Sequence, residues 1–286
     1  MFRVTSNSEL VVAPVSDQSL HSTTSRQHFE EQLISHLNWF HERGRQVRFW
    51  WRDDDAVAPT PALETLLNLS EEFGIPLSLS VIPKYAEEEL ARRLKSTSAV
   101  HVLHHGWQHK NYQDKSREEK SSEFGWRRSA QDLTRELVEG KQTLQELFGS
   151  RFVPLFVPPW NRIAPPAVHL LQQQGGYGLS AFTWMNHFRM PHVQSHVDII
   201  EWRKDKHFIG WDCARKRLDL ELCRRRTNST DPIGLLSHHL DHGNGCSNFL
   251  EVFFKLTSDH PAVRWLSSKE LLNEARKNFN QASEVS

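Results

Sequence analysis

Apolar residues follow two different spacings along most of the chain. After residue 28, stretches with apolar residues at helical spacing, such as Phe29, Leu33, Leu37 and Phe40, alternate with short runs that are continuously or alternately apolar. The first spacing predicts helices and the second predicts strands. Roughly seven strand–helix units follow one another, and this order predicts a mainly parallel sheet in one α/β barrel, complete or incomplete, over residues 28–286.

The beginning of the chain has a different character. Residues 1–27 are rich in Ser and Thr and predict a loose N-terminal arm. They contain no basic stretch followed by an apolar core, and no apolar run in the chain has the length of a membrane span. We therefore expect a cytoplasmic protein that does not associate with membranes.

Composition narrows the partners further. The chain has 35 Lys and Arg residues against 35 Asp and Glu residues. This balance gives no electrostatic reason to expect binding to nucleic acid or to an anionic membrane. The three cysteines, Cys213, Cys223 and Cys246, are too scattered for a disulfide framework or a CxxC metal site. Nothing in the composition indicates an oligomeric state.

Unusual polar residues follow four of the predicted strands. The four groups are residues 53–55, the histidines 104, 105 and 109, residues 158–162, and the group formed by His238, His239, Asp241 and His242. Ligands of parallel α/β sheets bind outside the carboxyl ends of the strands. We therefore expect the four groups to meet on one face of the molecule.

These residue types suit a catalytic metal. His105 and His109 are four residues apart and can bind one ion together, and one aspartate from residues 53–55 would complete a set of three ligands. A second aspartate can act as a base on a metal-bound water, and a histidine from another strand as an acid. Each group alone is more often structural, particularly in a chain with 17 histidines. Their occurrence together, in order and at strand ends, favours a site.

The order of these motifs resembles the polysaccharide deacetylase family, also described as NodB-homology or carbohydrate esterase family 4 proteins. The resemblance covers residues 45–270 and implies an incomplete (β/α)7 barrel of the NodB-homology type. Within that family the chain is most similar to a deacetylase subgroup with Arg-x-Asp-Asp, HGWxH and SEFG motifs. Here these read Arg52-Asp53-Asp54-Asp55, HGWQH from His105 and SEFG from Ser122.

The resemblance implies a role for each matching residue. The base would be Asp54, the ligands of a divalent metal Asp55, His105 and His109, and the acid His238. Zn2+ is the expected ion, although iron, cobalt and manganese suit the same ligands. Two alternatives stay open: Asp53 as base with Asp54 as ligand, and His239 as the acid in place of His238.

Two of the family's motifs differ in this chain. The third usually begins with an arginine that pairs with the base, but Val157 occupies that position here. We predict that Arg162 reaches back to Asp54 or to the substrate, with Arg52 as the other candidate. The fourth motif, which supports the catalytic histidine, is best matched by HVDIIEW at residues 196–202.

The resemblance implies a metal-dependent hydrolase that removes an acyl group, acetyl in most of the family, from an N-acylated sugar or related amide. The candidate substrate contacts are Trp107, Pro159, Trp160 and Asn161, since aromatic faces stack on sugar rings. A degenerate barrel that binds glycans without hydrolysing them is an alternative that Val157 favours. A non-heme iron enzyme with the same ligands is another, although such oxygenases usually have a β-rich double-sheet fold.

Overall fold

The computed structural model describes residues 17–183, 188–203, 206–227 and 229–284. The strands are β1 (Val47–Ala56), β2 (Leu77–Val81), β3 (Val100–His105), β4 (Phe152–Val157), β5 (Gly178–Leu179), β6 (Val197–Asp198), β7 (Ile200–Glu201), β8 (His207–Phe208), β9 (Ile233–Ser237) and β10 (Val263–Trp265). The helices are α1 (Asp17–Glu42), α2 (Pro61–Phe73), α3 (Glu88–Leu94), α4 (Ala130–Phe148), α5 (Pro165–Gln173), α6 (Trp211–Thr227), α7 (Asn244–Thr257) and α8 (Ser268–Glu284).

The main sheet is parallel and curls into an incomplete barrel. Its strand order is β5-β4-β3-β2-β1-β9-β6, and β10 pairs with the first three residues of β1. The predicted incomplete barrel of seven parallel strands is therefore confirmed. The short strands β7 and β8 form a separate antiparallel pair.

A segment before β6 brings the two edges of the barrel together. The N–H of Val193 donates to the carbonyl of Leu179, and the N–H of His196 donates to the carbonyl of Gly234 in β9. A Cβ atom on Gly234 would lie 2.5 Å from Trp50 Nε1 and 2.8 Å from the Cα of Ser195. Glycine at this position therefore permits the close approach of the segment to β9.

Strand β1 separates two layers of the core. Phe49 packs edge-on against Phe253 of α7, with ring centroids 5.4 Å apart, and Trp51 packs against Phe254 at 4.8 Å. Trp50 belongs instead to a smaller cluster of strand residues and α8 residues inside the barrel. Because side chains alternate along a strand, Arg52 and Asp54 follow Trp50 inward and Asp53 follows Trp51 outward.

The strand continues further than the sequence predicts. Its predicted end is Trp51, but β1 extends through the three aspartates to Ala56. Each carboxylate has a partner there, as described below, and this partnering offsets the cost of burying charge. The register with β2 shifts between Asp53 and Ala56, and Asp55 has a φ of 75°. Such an irregularity re-aims the side chains near it.

Part of the predicted N-terminal arm is helical. Residues 1–16 lie outside the described residues, but α1 begins at Asp17, so residues 17–27 are helical. Arg26 forms an ion pair with Glu30 at 2.6 Å and lies over the ring of Trp211 at 5.7 Å. Ser25 donates to Asp212 at 2.9 Å. The contacts of Ser25 with Asp212 and of Arg26 with Trp211 dock this part of α1 on α6, which the Ser- and Thr-rich composition did not indicate.

Side-chain hydrogen bonds mark the starts of α2 and α4. The Thr60 hydroxyl accepts from the N–H of Leu63 at 3.1 Å, and the Ser129 hydroxyl accepts from the N–H of Asp132 at the same distance. These are the expected N-caps of α2 and α4. Among the helices that the structure describes, none combines the length and the apolar character needed to cross a membrane.

Candidate active site

Three potential metal ligands meet at the carboxyl ends of β1 and β3. Asp55 Oδ1 lies 2.9 Å from His105 Nε2 and 3.3 Å from His109 Nε2. His105 ends β3, and His109 follows in a turn where it adopts a φ of 53°. The three donor atoms all lie within 4.8 Å of one another, and no other residue of the described chain joins this group. The predicted ligands are therefore neighbours.

The donor set fits a small divalent cation. His105 Nδ1 donates to the carbonyl of Val157 at 3.0 Å, so Nε2, which faces Asp55, is the nitrogen that could bind a cation. Burial and the nearby His105 lower the pKa of His109 to about 4, which keeps its imidazole neutral at pH 7. Ligands bound at zinc distances in a tetrahedron are about 3.3 Å apart, close to the separations found here.

Burial and hydrogen bonding act in opposite directions on Asp55. Burial raises the pKa of this carboxyl, but the hydrogen bond and charge of His105 outweigh burial and bring the pKa below its ordinary value. The carboxylate is therefore ionised at neutral pH. One ionised carboxylate with two imidazoles is the mixed N/O donor set that zinc and related transition metals accept.

The neighbouring Asp54 is buried beside an arginine. Its Oδ2 accepts from Arg52 Nη2 at 2.9 Å, whereas its Oδ1 is buried and has no hydrogen-bond partner in the described chain. Arg52 also donates to Ser180 Oγ at 2.9 Å and to Asn161 Oδ1 at 2.7 Å. Burial opposes ionisation of Asp54, but the Arg52 charge leads the effects that lower its pKa below the ordinary value.

The prediction that Arg162 contacts Asp54 is wrong. The Arg162 guanidinium donates to the carbonyl of Ser121 at 3.1 Å and has no carboxylate within ion-pair distance among the described residues. Arg52 takes the expected place because it lies two residues before Asp54 on the same inward face of β1. A cavity opens beside Asp54, Asp55 and His238, and Arg162 also lines it.

His238 and His239 face opposite layers. His238 lines the cavity, with Nε2 3.9 Å from Asp54 Oδ2 and its ring 4.5 Å from that of Trp202. His239 contacts Asp53 through Nδ1 in the layer between sheet and helices. Of the two histidines, His238 is the one placed to meet a substrate.

Asp53 belongs to a buried network outside the cavity. Its Oδ2 accepts from Ser237 Oγ at 2.7 Å, and that hydroxyl accepts from Trp51 Nε1 at 2.8 Å. Its other oxygen contacts His239. All of these side chains are almost completely buried. The geometry therefore favours the frame with Asp54 and Asp55 at the site over the frame with Asp53 and Asp54.

The predicted substrate contacts divide into two pairs. Trp160 and Asn161 line the cavity, and the Trp160 ring lies 4.3 Å from that of His109. Trp107 and Pro159 do not line the cavity. Trp107 packs against the main core, and Pro159 is buried where a Cβ on Gly106 would be 2.5 Å from its Cγ.

Two residues of the predicted fourth-motif segment lie close to His238. Asp198 Oδ2 accepts from Trp202 Nε1 at 2.7 Å, and Trp202 in turn packs edge-on against His238. Burial raises the pKa of Asp198, and His238 is the leading charge that opposes this effect. The segment HVDIIEW therefore lies where the family's fourth motif is expected to support the histidine.

Glu123 is a buried residue of the site whose role the sequence did not reveal. Its carboxylate accepts from the N–H groups of Trp107 at 3.0 Å and Gln108 at 2.9 Å, in the turn between His105 and His109. A Cβ on Gly106 would lie 2.2 Å from Glu123 Oε2. The SEFG motif contains Glu123, but only the fold shows that it lies under this turn.

Together, the parallel barrel and the Asp-His-His group define a candidate metalloprotein with a polar cavity over the strand ends. The family model described as polysaccharide deacetylase matches residues 53–177. This part of the chain is therefore similar to that family. No curated protein sequence gives a significant match to the chain.

Solved structures show the same fold at low sequence identity. A polysaccharide deacetylase homologue from Mycobacterium smegmatis has a TM-score of 0.59 and 15% identity, covering 82% of this chain and 92% of that one. An acetyl xylan esterase from Clostridium thermocellum in complex with cobalt has a TM-score of 0.50 and 12% identity, covering 79% and 91%. A family 4 pseudoenzyme from Bacillus anthracis has a TM-score of 0.50 and 15% identity, covering 80% and 66%.

Proposed function

We propose that this protein is a metal-dependent hydrolase that removes an acyl group, acetyl in the simplest case, from the nitrogen of an N-acylated sugar. The observation that carries the proposal is the meeting of Asp55, His105 and His109 beside a buried carboxylate, Asp54, that keeps one oxygen without a partner. Both groups border a cavity of about 1010 Å3, which is large enough for a small glycan.

Asp55, His105 and His109 would hold the cation. Three protein ligands of nitrogen and oxygen type favour Zn2+ at a catalytic site, and the cobalt-bound esterase of the same fold supports a divalent ion. Once bound, such a cation lowers the pKa of a water ligand and polarises the acyl oxygen.

The protein's own residues would move the protons. The free oxygen of Asp54 accepts the proton of the attacking water, and Arg52 keeps the carboxylate ionised and fixed in orientation. His238, which lines the same cavity, donates a proton to the departing sugar nitrogen. Trp202 limits the rotation of the His238 ring through its edge-on contact.

The degenerate glycan-binding alternative loses its main support. It rested on Val157, which leaves no arginine at the usual place in the third motif. The Arg52–Asp54 ion pair at 2.9 Å provides an equivalent contact from a different strand position. The pseudoenzyme from Bacillus anthracis shares the fold, so catalysis still has to be measured directly.

The test combines metal content with acetate release. The protein is stripped with a chelator, reloaded with Zn2+, and assayed with N-acetylglucosamine and its short oligomers. We expect about one ion per chain and activity only in the loaded form. Asp54→Asn should keep the metal and lose about a hundredfold or more in turnover, the usual contribution of a general base.

His105→Ala should lose the metal, whereas His169→Ala, a change of an exposed histidine on α5, should lose neither metal nor activity. Full metal occupancy in His105→Ala would contradict the proposed ligands. Acetate release that survives both Asp54→Asn and His105→Ala would contradict the proposed function.

A further inference from the structure

The cavity continues well beyond the candidate metal ligands. Its far wall comes from the segment around β6 and β7 and from one face of α6, in the second half of the chain. Five cationic side chains line the cavity: Arg162, Arg203, Lys206, Arg217 and Arg224. Carboxylates line the same cavity, so a cation can attract a ligand only where no carboxylate pairs with it.

Two of these cations are neutralised within the protein. Lys206 Nζ lies 3.1 Å from Asp241 Oδ1, and Arg224 Nη1 lies 2.6 Å from Glu221 Oε1. These side chains have their counter-ions already. They therefore give no reason to expect a charged ligand.

The other three cations have no carboxylate partner within ion-pair distance in the part of the chain that the structure describes. Arg217 donates to the backbone carbonyl of Asp198, and Arg162 donates to the backbone carbonyl of Ser121. Arg203 uses its backbone N–H to bond Glu201 Oε1 at 3.1 Å. A backbone carbonyl satisfies one N–H of a guanidinium and leaves its charge uncompensated.

Carboxylates on the same wall are engaged elsewhere. Asp198 accepts from the indole of Trp202 at 2.7 Å and from the N–H of Ile200 at 2.9 Å. Asp54 is paired with Arg52, and Asp55 belongs to the candidate metal group. Glu201 also lines the cavity, which makes six carboxylates against the five cationic side chains. A bound dication would turn this excess of one negative charge into an excess of one positive charge.

Arg162 is held most firmly of the three. Its N–H donates to the carbonyl of Pro159 at 3.2 Å, and its own carbonyl accepts from Ser122 Oγ at 3.1 Å. It directly follows Trp160 and Asn161, which contact His109 and Arg52. Burial alone lowers the pKa of the Arg162 guanidinium. The Arg162 side chain is already ordered and partly desolvated, so binding a ligand costs less side-chain entropy and less desolvation than it would for a mobile, exposed arginine.

We propose that the substrate carries an anionic substituent, a phosphate or a carboxylate, and that Arg162 binds it, with Arg203 and Arg217 adding to the attraction. The inference rests on the proposed function, since it defines the N-acyl sugar that the site accepts. A guanidinium presents two parallel N–H groups to either anion. Arg162 is thus a specificity residue rather than a catalytic one.

The test compares one neutral and two anionic ligands on the Zn2+-loaded protein. N-acetylglucosamine is the neutral probe, N-acetylglucosamine 6-phosphate provides a phosphate, and N-acetylmuramic acid provides a carboxylate. Initial rates give kcat and KM where acetate is released, and calorimetry gives Kd where it is not. At least one anionic probe should show a KM or Kd about tenfold or more below that of the neutral probe.

Variants assign the effect to Arg162. Arg162→Gln should raise the KM or Kd of the preferred anionic probe by about tenfold or more relative to its effect on the neutral probe, while Arg162→Lys should retain part of the preference. Arg135→Gln is the matched control because Arg135 is exposed on α4 and pairs with Asp132 outside the cavity. The control should change nothing.

The outcomes separate this inference from the proposed function. Equal KM values for all three probes in the wild-type protein, or an equal effect of Arg162→Gln on all of them, would overturn the inference and leave deacetylation intact. Anion-selective binding without acetate release would retain the inference about the ligand and contradict the hydrolase. The probe that binds more tightly identifies phosphate or carboxylate as the recognised group.

Discussion

Asp53, Asp54 and Asp55 are consecutive, yet their carboxylates lie in three different environments. The two-residue period of the strand sends Asp53 toward the helices, where it contacts His239, and sends Asp54 into the barrel, where it pairs with Arg52. The irregularity that follows places Asp55 at the candidate metal group. Neighbouring carboxylates are therefore separated by backbone geometry, which reduces their mutual repulsion.

This separation predicts that two similar substitutions affect different properties, one the stability of the fold and the other metal binding. Asp53→Asn removes a buried charge that contacts His239 and Ser237, and should lower the free energy of unfolding by about 1–3 kcal/mol. It should leave metal occupancy unchanged. Asp55→Asn should instead weaken metal binding, because its carboxylate is the anionic donor of the group.

Urea unfolding of the metal-free protein and metal content after reloading measure the two quantities. Loss of turnover with retained metal in Asp53→Asn, together with loss of metal in Asp54→Asn, would mean that the base and ligand are Asp53 and Asp54.

The turn after β3 and the long polar segment 110–128 act as one structural element. The segment's length favoured a functional or mobile loop. In the structure it returns Glu123 beneath the turn, where the carboxylate accepts backbone N–H groups on either side of the bend. Glu119 and Arg127 form an ion pair at 2.6 Å nearer the surface of the segment. The segment thus fixes the backbone that carries His109.

Glu123→Gln should therefore weaken metal binding without removing a ligand. The amide keeps one oxygen acceptor and presents an NH2 group to the second backbone N–H, so the turn that carries His109 loses part of its support. Loss of such outer contacts typically costs about 10- to 100-fold in metal affinity. Competition with a chromophoric chelator gives the Zn2+ dissociation constant.

Glu119→Gln is the matched control in the same segment. It breaks the ion pair with Arg127 but leaves the turn's hydrogen bonds in place. We expect its Zn2+ affinity to equal that of the wild-type protein. An unchanged affinity in Glu123→Gln would show that the turn holds His109 without this contact.

For the molecule as a whole, the alternation of helical and strand spacings was enough to predict the barrel. Strand order and the shared position of strand ends follow from that architecture, so the meeting of Asp55, His105 and His109 could be expected from the sequence. The partner of Asp54 could not be chosen between Arg52 and Arg162, because residues 53–55 are predicted to follow the strand, and Arg52 and Asp54 share a face only when the strand continues through them. Three identical residues in a row do not indicate which of them point into the barrel and which point toward the helices.

The short strands show the same limit. The sequence predicts one strand over VDIIEW, whereas the structure divides it into β6 and β7. Asp198 Oδ1 accepts the N–H of Ile200 at 2.9 Å, and this side-chain bond competes with a continuous strand ladder. Local hydrogen bonding of this kind depends on side-chain rotamers, which hydrophobic periodicity does not report.

The stability of the whole barrel should depend on pH through His196, which joins its closing segment to β9 and α6. Its Nδ1 accepts from the N–H of Gly234 at 3.0 Å, and Arg225 Nη2 lies 3.1 Å from Nε2. Burial, and then the charge of Arg225, lower the pKa of His196 to about 3. The unfolded chain, with an ordinary histidine pKa, binds the proton first as the pH falls. The contribution of His196 is therefore complete above about pH 6.5 and is lost as the pH falls toward 3, by up to about 1.4 kcal/mol per pH unit.

The test replaces His196 with a residue that does not titrate. His196→Asn keeps an oxygen near the Gly234 N–H and removes the titrating group. In urea unfolding of metal-free protein between pH 7.5 and 4.5, this variant should show a shallower decline than the wild type, and His169→Asn, on the exposed face of α5, should match the wild type. Parallel declines for His196→Asn and the wild-type protein would mean that other buried groups set the acid limit of the fold.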